Sequence, residues 1–108
     1  MDEAQKRIER RGAKRHYFGA IAEVINLDER GEFISITRDL SASGCFVKTT
    51  TPFATGTRVR VRLTLSGAAF AAIGNVTANV TPTGMGIVFT EIDENDRAIL
   101  ERWLANAG

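Results

Sequence analysis

Residues 58–65 read R-V-R-V-R-L-T-L. Val59, Val61, Leu63 and Leu65 alternate with Arg58, Arg60, Arg62 and Thr64. That period of two sends successive side chains to opposite faces of a strand. Residues 20–26 and 33–38 are β-branched and apolar, with D-E-R-G at 28–31 as the turn between them. Residues 44–48 form a third short strand, and Pro52 and Gly56 punctuate the loop after it. Beyond a Ser66-Gly67 turn, residues 70–81 predict a long strand in which Val76, Ala78 and Val80 alternate with Asn75, Thr77 and Asn79. Pro82-Thr83-Gly84 turns the chain again, and residues 85–89 return. The end is helical. Asp93 suits an N-cap, Glu94 and Asp96 suit a first turn, and Ile99, Leu100, Trp103 and Leu104 make one apolar stripe. Six short antiparallel strands followed by one helix predict a mainly β protein, a small six-stranded antiparallel barrel. The helix stripe needs a barrel mouth or a sheet face to cover.

The first 16 residues break this pattern. Apart from alanines, Ile8 is the sole aliphatic residue between Met1 and Ile21. A helix over residues 3–11 would have no apolar face to bury, and Gly12 would end it. The expected organisation is one domain: a basic arm at 1–16 and a barrel with its C-terminal helix at 17–108.

Composition narrows the class. The chain has 108 residues, 44% hydrophobic and 25% charged, enough for a core without disulfides or metal. No apolar run is long enough to span a bilayer, so membrane insertion is not expected. The start, MDEAQKRIERR, lacks the apolar segment of a secretory signal. A single cysteine, Cys45, cannot make an internal disulfide. A cytoplasmic protein is the expectation, and the N-V-T triplets at 75–77 and 79–81 then read as strand sequence and not as glycosylation acceptors. The net charge of +1 is uneven. Residues 1–16 hold six cations against three acids, a net +3, which leaves −2 for the rest. A basic arm on a mildly acidic body suits an anionic partner.

Catalytic chemistry finds little footing. His16 is the one histidine, and Cys45, following Gly44 at a strand start, reads as a small core residue. One His and one Cys do not make a zinc site, which takes about four ligands. The carboxylates show no acid–base pairing. Gly84-Met85-Gly86 lacks the lysine and following helix of a phosphate loop, and reads instead as a strand start that another backbone or ring approaches closely. No enzyme, metal or cofactor is expected.

Recognition remains. R-R-G-A-K-R at 10–15 spaces Arg11 and Arg15 four apart, with Arg10 alongside. A guanidinium fork takes phosphate oxygens bidentately, grips the O6/N7 edge of guanine or stacks on a base. D-L-S-A-S-G at 39–44 offers Asp39 and Ser41, two apart on an extended segment, and so on one face. Together they match the donors and acceptors along a guanine edge. Gly44 permits a tight bend or close approach. The same stretch also reads as an ordinary turn in which Asp39 and Ser41 cap local backbone.

The two stretches together resemble the PilZ domain family. Its pattern is R-x-x-x-R followed by [D/N]-x-S-x-x-G on an early barrel strand. Arg11 and Arg15, then Asp39, Ser41 and Gly44, match it without substitution. The loop T-P-F-A-T-G-T-R-V-R-V-R-L, the strand G-M-G-I-V-F and the helix E-N-D-R-A-I-L-E-R-W-L are similar too, so the resemblance spans residues 6–106. It implies a six-stranded β-barrel and a receptor for the bacterial second messenger cyclic di-GMP. By position, Arg11 and Arg15 would contact phosphate and guanine, Asp39 and Ser41 would hydrogen-bond a guanine edge, and Gly44 would leave room. An arginine directly before the first motif arginine, here Arg10, implies an intercalated ligand dimer, two per protomer. The arm would order over the barrel on binding and form a surface read by a downstream protein, in control of motility, biofilm exopolysaccharide or virulence. The alternative within the family is an interaction module that binds no cyclic di-GMP. A third reading uses Arg10 to Arg15 and the Arg58, Arg60 and Arg62 row on polynucleotides. It lacks the surface aromatics on which single strands stack, and the row reads as a solvated strand face, so nucleic acid is not an expected partner.

Overall fold

The computed structural model describes residues 14–107. Seven strands precede one helix: β1 (His16–Tyr17), β2 (Ile21–Asn26), β3 (Glu32–Leu40), β4 (Gly44–Lys48), β5 (Arg58–Leu65), β6 (Ala68–Thr81), β7 (Gly84–Glu91) and α1 (Glu94–Asn106). The sheet runs β1-β3-β2-β5-β6-β7-β4, and β4 returns to pair with β3. That pairing closes β2 to β7 into a six-stranded antiparallel barrel, as expected. The seventh strand, β1, is an addition that pairs with β3, His16 opposite Leu40 and Tyr17 opposite Asp39.

The alternation at 58–65 is realised directly. Val59, Val61 and Leu63 are fully buried, and Arg58, Arg60 and Arg62 face solvent. Arg62 reaches Glu23 at 3.6 Å and Arg58 reaches Glu91 at 3.5 Å, ion pairs of a solvated face. The core gathers Val24, Leu40, Val47, Phe70, Val76, Met85 and Ile87 with them. Asp93 caps α1 by accepting from the Asp96 N–H at 2.9 Å. The α1 stripe lies against β6 and the core. Leu100 is buried, and Trp103 sits 5.3 Å from the Phe18 ring and 6.3 Å from Phe70. Asp96 adds an anchor by accepting from the β6 backbone N–H of Ala71 at 2.8 Å.

Two departures from the sequence reading shape the functional face. β3 continues beyond Arg38 to Leu40, so Asp39 lies in a strand and not in the turn. Its backbone has a partner on each side, Tyr17 on β1 and Phe46 on β4. The β3–β4 ladder also shifts register between Thr37 and Asp39. Such a bulge inserts one residue and re-aims side chains; here the residue is Arg38.

Candidate functional site

Thr37 secures the chain between β1 and β2. Between β1 and β2 the regular ladder lapses over residues 18–20. The buried Thr37 hydroxyl bridges that gap, accepting from the Ala20 N–H at 2.9 Å and donating to the Phe18 carbonyl. Phe18 N–H donates to the Arg38 carbonyl at 3.0 Å. The lapse is thus satisfied by hydrogen bonds, and the chain just before it is held along β3.

Arg15 is thereby placed beside Asp39, 24 positions away in sequence, and its Nη1 donates to Asp39 Oδ1 at 3.0 Å. From the other side Arg38 donates to Oδ2 through Nε at 2.9 Å, with Nη2 in ion-pair contact with the same oxygen at 2.8 Å. Asp39 is only 6% exposed. A carboxylate that deep costs several kcal/mol if left alone, on the order of a buried unpaired charge. Two half-exposed arginines offset that cost here. Arg38 is itself fixed, with its Cζ 3.9 Å from the centroid of the Phe46 ring, within the range of a cation–π contact.

Ser41 does something different. It is 2% exposed. Its Oγ accepts from the Ser43 and Gly44 N–H groups, both at 3.2 Å, and lies 3.3 Å from the Gly44 carbonyl. The local-turn reading therefore holds for Ser41 and fails for Asp39, whose side-chain partners are arginines and not nearby backbone. A Cβ on Gly44 would collide with the Ile87 carbonyl of β7, so the glycine lets β4 and β7 pair closely. Gly84 answers to the same need. Its missing Cβ leaves space for the Phe46 ring and the Val47 carbonyl, which is the close approach the sequence suggested. Arg10 and Arg11 lie outside the described residues. Of the six expected site residues, the structure thus brings together Arg15, Asp39, Ser41 and Gly44.

Two open clefts flank Arg15. One is lined by Arg15, His16, Tyr17, Arg38 and Asp39 and holds about 360 Å³. The other lies over Ser43, Gly44, Thr77 and Gly86 and holds about 380 Å³. Arg38 and Tyr17 escaped the sequence reading. Neither falls in a recurring motif, and both owe their place to β1 and the bulge. Beneath the site, burial pushes the Cys45 thiol up to about 12; the Asp39 carboxylate adds to the rise and Arg15 opposes it. A thiol so protonated is a core group and not a nucleophile, as read from the sequence.

A family model described as PilZ domain matches residues 9–106. The fold is similar to that of the PilZ domain of CeSA from a cellulose-synthesizing bacterium, with TM-score 0.66 and 24% identity, covering 84% of this chain and 94% of that one. It is also similar to the Bacillus subtilis inhibitor of motility MotI/DgrA, with TM-score 0.68 and 16% identity, over 87% of this chain. A third similar structure is the Borreliella burgdorferi PlzA protein in complex with c-di-GMP, with TM-score 0.55 and 12% identity, over 95% of this chain. The matched part is 51% of the inhibitor of motility and 37% of PlzA. No curated protein matches this chain.

Proposed function

The chain belongs to the PilZ domain family, and from that membership we propose that it is a non-catalytic receptor for cyclic di-GMP. The observation that carries the reading is the Arg15–Asp39 contact at 3.0 Å. It joins the two motif halves at one place on the barrel exterior. Asp39 presents a carboxylate whose oxygens retain acceptor capacity beyond the two arginines, since a carboxylate offers about four lone-pair sites. Guanine carries two adjacent donors, N1–H and N2–H, that fit such an acceptor. Arg15 and Arg11 supply forks for phosphate and for the O6/N7 edge. Ser41 and Gly44 act through the turn, holding β3 and β4 so that Asp39 stays between its two arginines at the edge of the cleft. A similar fold with c-di-GMP bound, PlzA, supports the ligand class.

In this reading the dianionic ligand bridges the net +3 segment at residues 1–16 and the barrel. Arg10 admits a second, intercalated ligand molecule. The ligand, the segment and the barrel together form the surface that a downstream protein reads. Differential contact with the two arrangements is what lets a ligand switch them. The regulated process belongs to the family's range of motility, exopolysaccharide and virulence outputs. Among the described residues no helix is long and apolar enough to cross a membrane.

The test is calorimetric titration of the chain with cyclic di-GMP, with cyclic di-AMP as control. Saturable, guanine-selective binding that is lost in Arg11→Ala and Arg15→Ala supports the proposal, and a ratio near two per chain supports the role of Arg10. Absence of saturable heat overturns it in favour of a ligand-free interaction module.

A further inference from the structure

Tyr17 is the most exposed large apolar side chain described, at 91%. It stands on a two-residue strand directly opposite Asp39, and directly opposed residues of an antiparallel pair share a face. On the other side of Asp39, Arg38 sits over Phe46, its Cζ 3.9 Å from the ring centroid. The ring covers the guanidinium from one side, and Nε and Nη2 lie 2.9 Å and 2.8 Å from Asp39 Oδ2. The side chain is nonetheless 46% exposed, so part of this fixed planar cation stays open to a ligand. Tyr17, Asp39 and Arg38 line one cleft of about 360 Å³, together with Arg15 and His16. An aromatic ring on one side, a planar cation on the other and a carboxylate between them are the parts of a nucleobase slot. Purines stack on tyrosine and on guanidinium planes. A carboxylate between two such walls selects a base that presents paired donors.

We infer that Tyr17 and Arg38, which lie outside both recognition motifs, are the walls of a slot that stacks one guanine base of the ligand above Asp39. The inference rests on the proposed cyclic di-GMP reading and adds to it two base-contacting residues and a source of guanine selectivity. Arg38 is pre-set for the task. Its salt bridge and its ring contact are formed without ligand, so little rotamer freedom is left to lose on binding.

The test uses the full chain, with cyclic di-GMP titrated into the parent, Tyr17→Ala, Tyr17→Phe, Arg38→Ala and Arg38→Lys. Affinity should fall roughly tenfold in Tyr17→Ala and in Arg38→Ala, the scale of one lost base-stacking contact. Tyr17→Phe should bind like the parent, since the ring is what stacks. Arg38→Lys should not rescue, since an ammonium lacks the plane. Tyr17 is the chain's single tyrosine, so its ring protons form one assignable NMR set. Saturating cyclic di-GMP should move them upfield. Thermal melts confirm that the variants remain folded, and the ring-proton shift is read on the parent alone. Parent-like affinity in either alanine variant, or an unmoved Tyr17 ring in a parent that binds, overturns the slot and leaves the receptor reading standing. A parent that does not bind overturns both.

Discussion

At the β3–β4 turn, Ser41 Oγ accepts from the Ser43 N–H at 3.2 Å and approaches the Ser43 hydroxyl at 3.2 Å. At the β6–β7 turn, Thr81 Oγ1 accepts from the Thr83 N–H at 3.2 Å and approaches the Thr83 hydroxyl at 3.2 Å. Each turn ends three residues on in a glycine, Gly44 or Gly84, whose missing Cβ makes space for a neighbouring strand. The turns lie toward opposite ends of the β4–β7 pair, where Gly44 faces Val88 and Lys48 faces Gly84. The difference appears two residues before each hydroxyl. Asp39, buried and held by two arginines, precedes Ser41. Exposed Asn79 precedes Thr81. The hydroxyl-and-glycine turn is therefore barrel construction wherever it occurs. What sets the β3–β4 end apart is a carboxylate, and β1 with the bulge at Arg38 brings the cations to it.

That contrast can be broken most forcefully at the glycines. Gly44→Ala and Gly84→Ala should both destabilise the barrel by about 3 kcal/mol, the upper part of the usual overpacking cost, read as the shift in urea midpoint. Backbone carbonyls of β7 and β4 stand in the way of the new methyl groups. If Gly44→Ala leaves stability unchanged, the two turns are not the same device. Next in size is the asymmetry itself. Asp39→Ala should weaken cyclic di-GMP binding by about 2 kcal/mol, the scale of hydrogen bonds to a charged group, while Asn79→Ala binds like the parent in the same titration. Smaller again are the hydroxyls. Ser41→Ala and Thr81→Ala should each cost about 1 kcal/mol of stability by chemical denaturation, with Ser41→Ala the larger because Ser41 is buried and leaves two N–H groups without their acceptor.

A separate effect lies in pH and is confined to the alkaline limb. The folded Cys45 thiol titrates near 12 against an ordinary value of 9.0. The folded state therefore holds its proton where the unfolded state has lost it. Stability from this group is fully present below pH 9.0 and declines as pH rises towards about 12. Cys45→Val should flatten that part of the alkaline limb in denaturation measured from pH 8 to 11, and a thiol reagent at pH 8 should label native Cys45 only at the rate of unfolding.

Much of this was legible in the sequence. The strand at 58–65 shows itself through strict alternation, because a half-buried strand has no other way to satisfy both faces. The helix shows itself through Asp93 and the stripe ending at Leu104. The pairing of Arg15 with Asp39 was legible only by resemblance, since 24 positions of chain separate residues that touch. β1 was not legible. Two residues have no periodicity, and β1 shows itself only in its pairing with β3, with Thr37 bridging the lapse that follows it. Nor was the position of Arg38, because a bulge arises from the mismatch of two paired strands and not from either one. The double reading of D-L-S-A-S-G turned out to be a division of labour: Ser41 makes the turn and Asp39 faces the arginines.

The most direct measurement is a calorimetric titration of cyclic di-GMP into three proteins: the parent, Asp39→Ala and Asn79→Ala. The expected result is saturable binding by the parent and by Asn79→Ala, with affinity about thirtyfold lower in a folded Asp39→Ala, the equivalent of about 2 kcal/mol. Equal binding by all three would contradict the assignment of the site to the β3–β4 end, and no binding by the parent would contradict the receptor function itself.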